Sequence, residues 1–174
     1  LDFKTIIENH KRFLPDDWEI TFFGSKQNEE IIERDFPEIR FVRLPQDLTN
    51  GFNEAKYNKL ITSRGFWMNV PYDKVLVFQH DSMLLREGIE EFLEWSYIGA
   101  PWGHFHMLGG NGGLSLRTKQ KMIDVIDYSS YDFVRDGNED VYFCKYLQKV
   151  GGVIAPKEIA QQFSVETIFY PTPV

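Results

Sequence analysis

The sequence predicts an α/β fold with a largely parallel sheet, and three observations carry that expectation. Short apolar runs rich in Val, Ile and Phe alternate with longer amphipathic stretches along the whole chain, the order that builds βα units. Proline closes elements at Leu14-Pro15, Leu44-Pro45, Val70-Pro71, Ala100-Pro101 and Ala155-Pro156, because it disfavours helix at the residue before it and cannot donate to a ladder. The buried-looking run Lys74–Phe78 ends in the polar Gln79-His80-Asp81, at the kind of strand end where open α/β sheets bind ligands.

Taken in order, Asp2–Phe13 reads as a helix with Phe3, Ile6, Ile7, His10 and Phe13 on one side. Strands are expected at Glu19–Phe23, Arg40–Leu44, Lys74–Phe78, Tyr97–Ala100, Gly113–Leu116 and Gly152–Ala155, each short, apolar and bounded by turn residues. Helical spacing marks Asn28–Phe36, Gly51–Arg64, Glu87–Trp95, Thr118–Tyr128 and Glu139–Val150. A doubly wound sheet usually opens with a strand, whereas this chain opens with a helix. The first strand is therefore expected upstream of Leu1, and the Leu start reads as a fragment or a processed form.

The 174 residues fit one domain spanning 1–174. The net charge of −7 argues against nucleic acid as the main partner. Aromatic residues make up 16% of the chain, enough to supply stacking platforms for a ring-shaped ligand as well as a core. Cys144 is the only cysteine, which excludes an intrachain disulfide and fits a reducing, cytoplasmic setting. No apolar run is long enough to span a membrane. Nothing in the composition fixes an oligomeric state.

Several groups of residues could carry chemistry. Asp81 at the strand end could hold a divalent cation on a phosphate, with His80 beside it, or could simply cap a turn. The run Gly109-Gly110-Asn111-Gly112-Gly113 could bring backbone amides close to a ligand, with Trp102 stacking on a sugar ring, or could be a flexible hairpin-like loop. His104 and His106 have the spacing to share a metal on an extended segment, without an acidic or cysteine neighbour in sequence. Asn138 suits a helix N-cap, and Glu139 and Asp140 either complement the helix dipole or supply a general base. Lys56, Asn58, Lys59, Arg64 and Arg117 are the candidates for contact with a nucleotide or its phosphates.

The segments Leu14-Pro15-Asp16-Asp17-Trp18, Val77-Phe78-Gln79-His80-Asp81-Ser82, Tyr97-Ile98-Gly99-Ala100-Pro101-Trp102, Gly110–Arg117, Asn138-Glu139-Asp140-Val141 and Phe163-Ser164-Val165-Glu166 together resemble a GT-A type glycosyltransferase-like family. The resemblance implies a Rossmann-like, mostly parallel sheet flanked by helices. It also implies a nucleoside diphosphate sugar donor, a glycan or other hydroxyl acceptor, and Mn²⁺ or Mg²⁺. It places Asp81 at the metal-binding acid of an Asp-x-Asp pattern, with Gln79 where the first acid would stand. It matches Asp140, with Glu139 beside it, to the base of inverting transferases. Gln79, His80, Lys56, Lys59 and Arg117 are then expected at the donor, and Trp102, Gly110, Asn111, Gly112 and Gly113 at sugar or acceptor. The expected activity is inverting, metal-assisted glycosyl transfer. The alternatives are a retaining transferase of the same fold and a catalytically degenerate domain that only binds glycan or sugar nucleotide.

Overall fold

Helix α1 (Phe3–Phe13) starts where the Asp2 carboxylate accepts the Thr5 N–H at 3.0 Å, and it buries Ile6, Ile7 and His10. The structure, a computed structural model, describes residues 2–103 and 107–166. Strand β1 (Thr21–Gly24) leads into α2 (Lys26–Asp35), which opens on a reciprocal cap between Ser25 and Asn28. Strand β2 (Arg40–Arg43) then pairs with β1 in parallel, Thr21 opposite Arg40.

The short helices α3 (Gln46–Thr49), α4 (Glu54–Ile61) and α5 (Arg64–Met68) follow. The sequence predicts one helix from Gly51 to Arg64, but α4 stops at Ile61. There Thr62 returns its hydroxyl to the Asn58 carbonyl at 2.7 Å, and the Ser63 hydroxyl accepts the Phe66 N–H to start a new helix. Strand β3 (Lys74–Phe78) is followed by a 3₁₀ turn at Ile89–Phe92, shorter than the helix expected over Glu87–Trp95. Strands β4 (Tyr97–Pro101) and β5 (Gly110–Thr118) come next, then α6 (Lys119–Tyr128), α7 (Phe133–Asp136) and α8 (Glu139–Leu147). A 3₁₀ turn at Gln148–Val150 and α9 (Lys157–Phe163) complete the described chain.

The α/β class is as expected, but the sheet is not mostly parallel. Strands β1 and β2 form a parallel pair, while β3, β5 and β4 form a separate three-stranded sheet in that spatial order, with β5 antiparallel to both neighbours. The reason is the short link between β4 and β5. A parallel neighbour needs a crossover of a dozen or more residues, and residues 102–109 are too few. The strand expected at Gly152–Ala155 reduces to a bridge between Ile154 and Tyr97.

Helices cover both faces of the strands. Ile7, Ile32, Phe36 and Ile39 pack α1 and α2 onto the parallel pair. Trp67, Val77, Met122, Tyr142, Phe143 and Leu147 fill the space among β3, α5, α6 and α8. Ile98, Leu116, Phe92 and Ala160 close the opposite face of the antiparallel sheet.

Among the described residues the two sheets do not join. β1 bonds to β2 and β3 bonds to β5, and a cavity of ≈ 1060 Å³ lies between their other edges. Phe3, Ile6 and Ile7 line it from α1, and Tyr57, Leu60 and Ile61 line it from α4.

Candidate active site

The site is built on the first residues of β5. Gly110 opens the strand instead of lying in a flexible loop, because the glycines let β4 and β5 approach closely. A Cβ on Gly99 would overlap the Asn111 carbonyl, and one on Gly110 would come within 2.6 Å of the Ala100 carbonyl oxygen. At Gly109, φ is +147°, a backbone conformation that side-chain-bearing residues rarely adopt. A Cβ there would press into Trp102 and the Cys144 sulfur. Trp102 is half-buried and packs on the main core.

Behind Gly112 lies a buried ion pair. Arg117 Nη1 donates to Glu139 Oε2 at 2.6 Å and Nη2 to Oε1 at 2.8 Å, with side-chain exposures of 0% and 3%. Arg117 Nε donates to the Ser115 hydroxyl at 2.8 Å, which in turn donates to the Gly112 carbonyl at 3.0 Å. The guanidinium also lies over the Tyr97 and Phe143 rings. Burial works against its charge, and Glu139 more than offsets that, so Arg117 stays charged.

This pairing corrects two sequence expectations. Arg117 is shut off from the open surface where a diphosphate would lie, and Glu139 is spent on Arg117 instead of facing an acceptor. Both hold α8 against β5. Asn138 occupies the N-cap position of α8 without capping it. The cap comes instead from Asn58 on α4, whose Oδ1 accepts the Glu139 N–H at 3.0 Å while its Nδ2 donates to Asn138 Oδ1 at 3.2 Å. Asn58 is therefore a positioning residue, buried and out of reach of a nucleotide.

Asp140 follows on the same helical turn. Its Oδ2 accepts the Gly112 N–H at 3.2 Å and its Oδ1 the Val141 N–H at 2.7 Å. Burial, and then the negative charge of Glu139, push its pKa up from the ordinary 3.8 to about 6, against the pull of those two amides and Arg117. A buried carboxylate poised near neutrality is suited to move a proton.

Asp81 and His80 are exposed beyond the end of β3. Asp81 lines a cleft of ≈ 550 Å³ together with Gln79, Ser82, Asn111, Gly113 and Glu166. Asn111 Nδ2 donates to the Glu166 carboxylate at 2.9 Å across it. Gly113 faces Gln79, while Gly112 faces Glu139 and Asp140. The glycine strand thus separates the two acids, and Asp140 is not among the residues lining the Asp81 cleft.

Lys56 is turned inward on its own loop, its ammonium donating to the Asp47 and Asn50 carbonyls, and Lys59 is exposed. The Arg64 guanidinium pairs with Asp127 at 2.6 Å. His104 and His106 lie outside the described residues. Among the described residues, no three His, Cys, Asp or Glu side chains cluster to hold a metal, and no helix is long and apolar enough to cross a membrane.

Tyr57 was invisible in the sequence, where it reads as one more core aromatic. It lines the inter-sheet cavity, and its buried hydroxyl has no partner in hydrogen-bonding geometry. Burial raises its pKa, with Glu139 adding to the effect and Gln79 near enough to oppose it.

Residues 38–172 match the model of a family described as a protein of unknown function, DUF5672. No curated protein sequence and no solved structure matches the chain.

Proposed function

We propose that this chain, which belongs to the DUF5672 family, is an inverting glycosyltransferase with a GT-A-like arrangement. It would move a sugar from a nucleoside diphosphate sugar to a hydroxyl of a glycan or other acceptor. The observation that carries this reading is Asp140, a buried carboxylate with its pKa at about 6, held by an amide of the glycine strand.

In this reading the acceptor oxygen attacks the anomeric carbon as the bond from that carbon to the diphosphate oxygen breaks. The electron pair leaves with the diphosphate, and the acceptor proton passes to Asp140. Asp140 lies on the Gly112 face of β5, so the acceptor must reach it from that face, and the cleft lined by Asn111, Gly113, Gln79 and Ser82 is on the other. Among the described residues, Asp81 alone does not make a preformed site for Mn²⁺ or Mg²⁺.

A second reading, a degenerate domain that binds sugar nucleotide or glycan without turnover, draws support from Gln79 and from the commitment of Glu139 to Arg117. One assay separates the two. Purified protein is incubated with a panel of sugar nucleotides and acceptor glycans, with and without Mn²⁺, and products are read by mass spectrometry and anomeric NMR. Transfer with inverted configuration, lost in Asp140→Asn, is expected. Binding by calorimetry with no product in any combination favours the binder, and full activity in Asp140→Asn overturns the role of that residue.

A further inference from the structure

The cavity between the sheets has the shape and the chemistry of a missing strand. The Arg40 N–H donates to the Ile20 carbonyl at 3.2 Å and the Leu44 N–H to the Gly24 carbonyl at 2.9 Å, so the even-numbered residues of β1 address β2. Because successive residues turn their amides to opposite edges, Thr21 and Phe23 present theirs to the cavity. On β3, the Gln79 N–H donates to the Gly113 carbonyl at 2.9 Å, which assigns the odd-numbered positions to β5. The N–H and C=O groups of Leu76 and Phe78 are thereby left facing the cavity. Interior backbone groups without partners are costly and rare in folded proteins.

The two edges also run the same way. The Tyr72 phenol, just before β3, meets the Glu19 carboxylate, just before β1, so both strands start at the same end. Above and below, the cavity is walled by apolar side chains of α1 and α4.

We propose that a further β-strand of the same polypeptide, joined ahead of α1, lies in this cavity parallel to β1 and β3 and fuses the two sheets into one. Matching β3, it has about five residues, or roughly 17 Å of extended chain. Its alternate side chains meet Ile6 and Ile7 on one face and Leu60 and Ile61 on the other, so it is apolar at every position and carries no charge. Phe3 on the first turn of α1 already lines the cavity, and α1 then serves as the crossover between the added strand and β1. The filled sheet has the order β2, β1, new strand, β3, β5, β4. This proposal stands independently of the transferase reading.

Amide hydrogen exchange on the polypeptide as its native source makes it, beside the chain of residues 1–174, tests the assignment. In the native polypeptide the amides of Thr21, Phe23, Leu76 and Phe78 are expected to be protected to within ~10-fold of those of Phe22 and Val77, and at least ~100-fold less in the short chain. If the short chain does not fold, the pattern in the native polypeptide alone decides. Four outcomes overturn the proposal: exchange at loop rates in the native polypeptide; equal protection in the short chain; protection that rises with protein concentration, which points to a second copy; and protection that appears only with a sugar nucleotide, which points to a ligand. A native polypeptide whose intact mass corresponds to a start at Leu1 also overturns it.

Discussion

The Arg117 guanidinium grips the Glu139 carboxylate through two hydrogen bonds, at 2.6 and 2.8 Å, with both side chains shut off from water. A pair in this setting is expensive to break, because the survivor keeps its charge in a medium that cannot solvate it. Arg117→Met and Glu139→Gln should each destabilise the fold by about 3–5 kcal/mol in urea unfolding. The double variant Arg117→Met with Glu139→Leu should cost clearly less than the sum of the two single changes. Strict additivity would mean that the pair is not coupled.

Asp140 carries the opposite liability. Its pKa is about 6 in the folded chain against 3.8 ordinarily, so between those values the folded state holds more proton than the unfolded state. Stability should therefore fall as pH rises from about 4 to about 6 and stay lower above that, by on the order of 3 kcal/mol for this group. Asp140→Asn should flatten that slope and raise stability at pH 7 while abolishing transfer. Thermal unfolding across pH checks the first expectation and product formation the second. A destabilised, fully active variant would defeat both.

On the transferase reading, the same group is expected to set the acid limb of activity. If Asp140 must be ionised to accept a proton, kcat/KM should rise through about pH 6 and level off above it. Glu139→Gln, in protein that remains folded, removes the negative neighbour and leaves Arg117 uncompensated, so the limb should move to lower pH. A limb unmoved by that change would show that the titrating group lies elsewhere.

Two glycines give a contrast in tolerance. A Cβ on Gly112 would overlap Glu139 Oε1 and come within 2.7 Å of Arg117 Nη2, whereas a Cβ on Gly65 in α5 meets nothing within 4 Å. Gly112→Ala should lower stability by about 2 kcal/mol or more, through damage to a buried network. Gly65→Ala should be neutral or stabilise by up to about 1 kcal/mol, because alanine loses less backbone freedom than glycine on entering a helix. Parallel denaturation curves for the two variants decide it.

Tyr57 offers a way to separate ligand binding from folding. Its buried hydroxyl has no partner in hydrogen-bonding geometry among the described residues, so Tyr57→Phe removes an unsatisfied group and should leave stability unchanged or raise it by about 1 kcal/mol. If the strand proposed for that cavity fills it, the same variant should leave sugar-nucleotide affinity unchanged in calorimetry, whereas a roughly tenfold loss would put a bound donor at the hydroxyl instead.

Local signals in the sequence located most elements. Lys74–Phe78 matched its strand to the residue, and Phe3–Phe13 began one position inside the expected helix. These segments carry their own hydrophobic period and caps, so their structure needs no distant partner to specify it. Strand direction was misjudged because alternation of strands and helices says nothing about two strands, β4 and β5, joined by a link too short for a crossover. Within the site, Asp140 was legible as a carboxylate at a helix start, and Asp81 as the acid after a strand. The partnership of Arg117 with Glu139 was not, since it joins residues on β5 and α8 whose contact depends on how the chain packs. Tyr57 carried no signal at all, because an unpaired hydroxyl is a property of surroundings and not of a residue type.

The cap that Asn58 supplies to α8 has a consequence for how this region assembles. The first amide of that helix is answered by a side chain 81 positions earlier, so its opening turn cannot settle until the earlier segment has docked. Acid 140 sits in that turn. A piece of the chain starting after position 58 would keep the hairpin strands and the later helices, yet release the turn that aims this carboxylate. The turn that carries Asp140 is thus held jointly by α4 and by β5, two segments far apart along the chain.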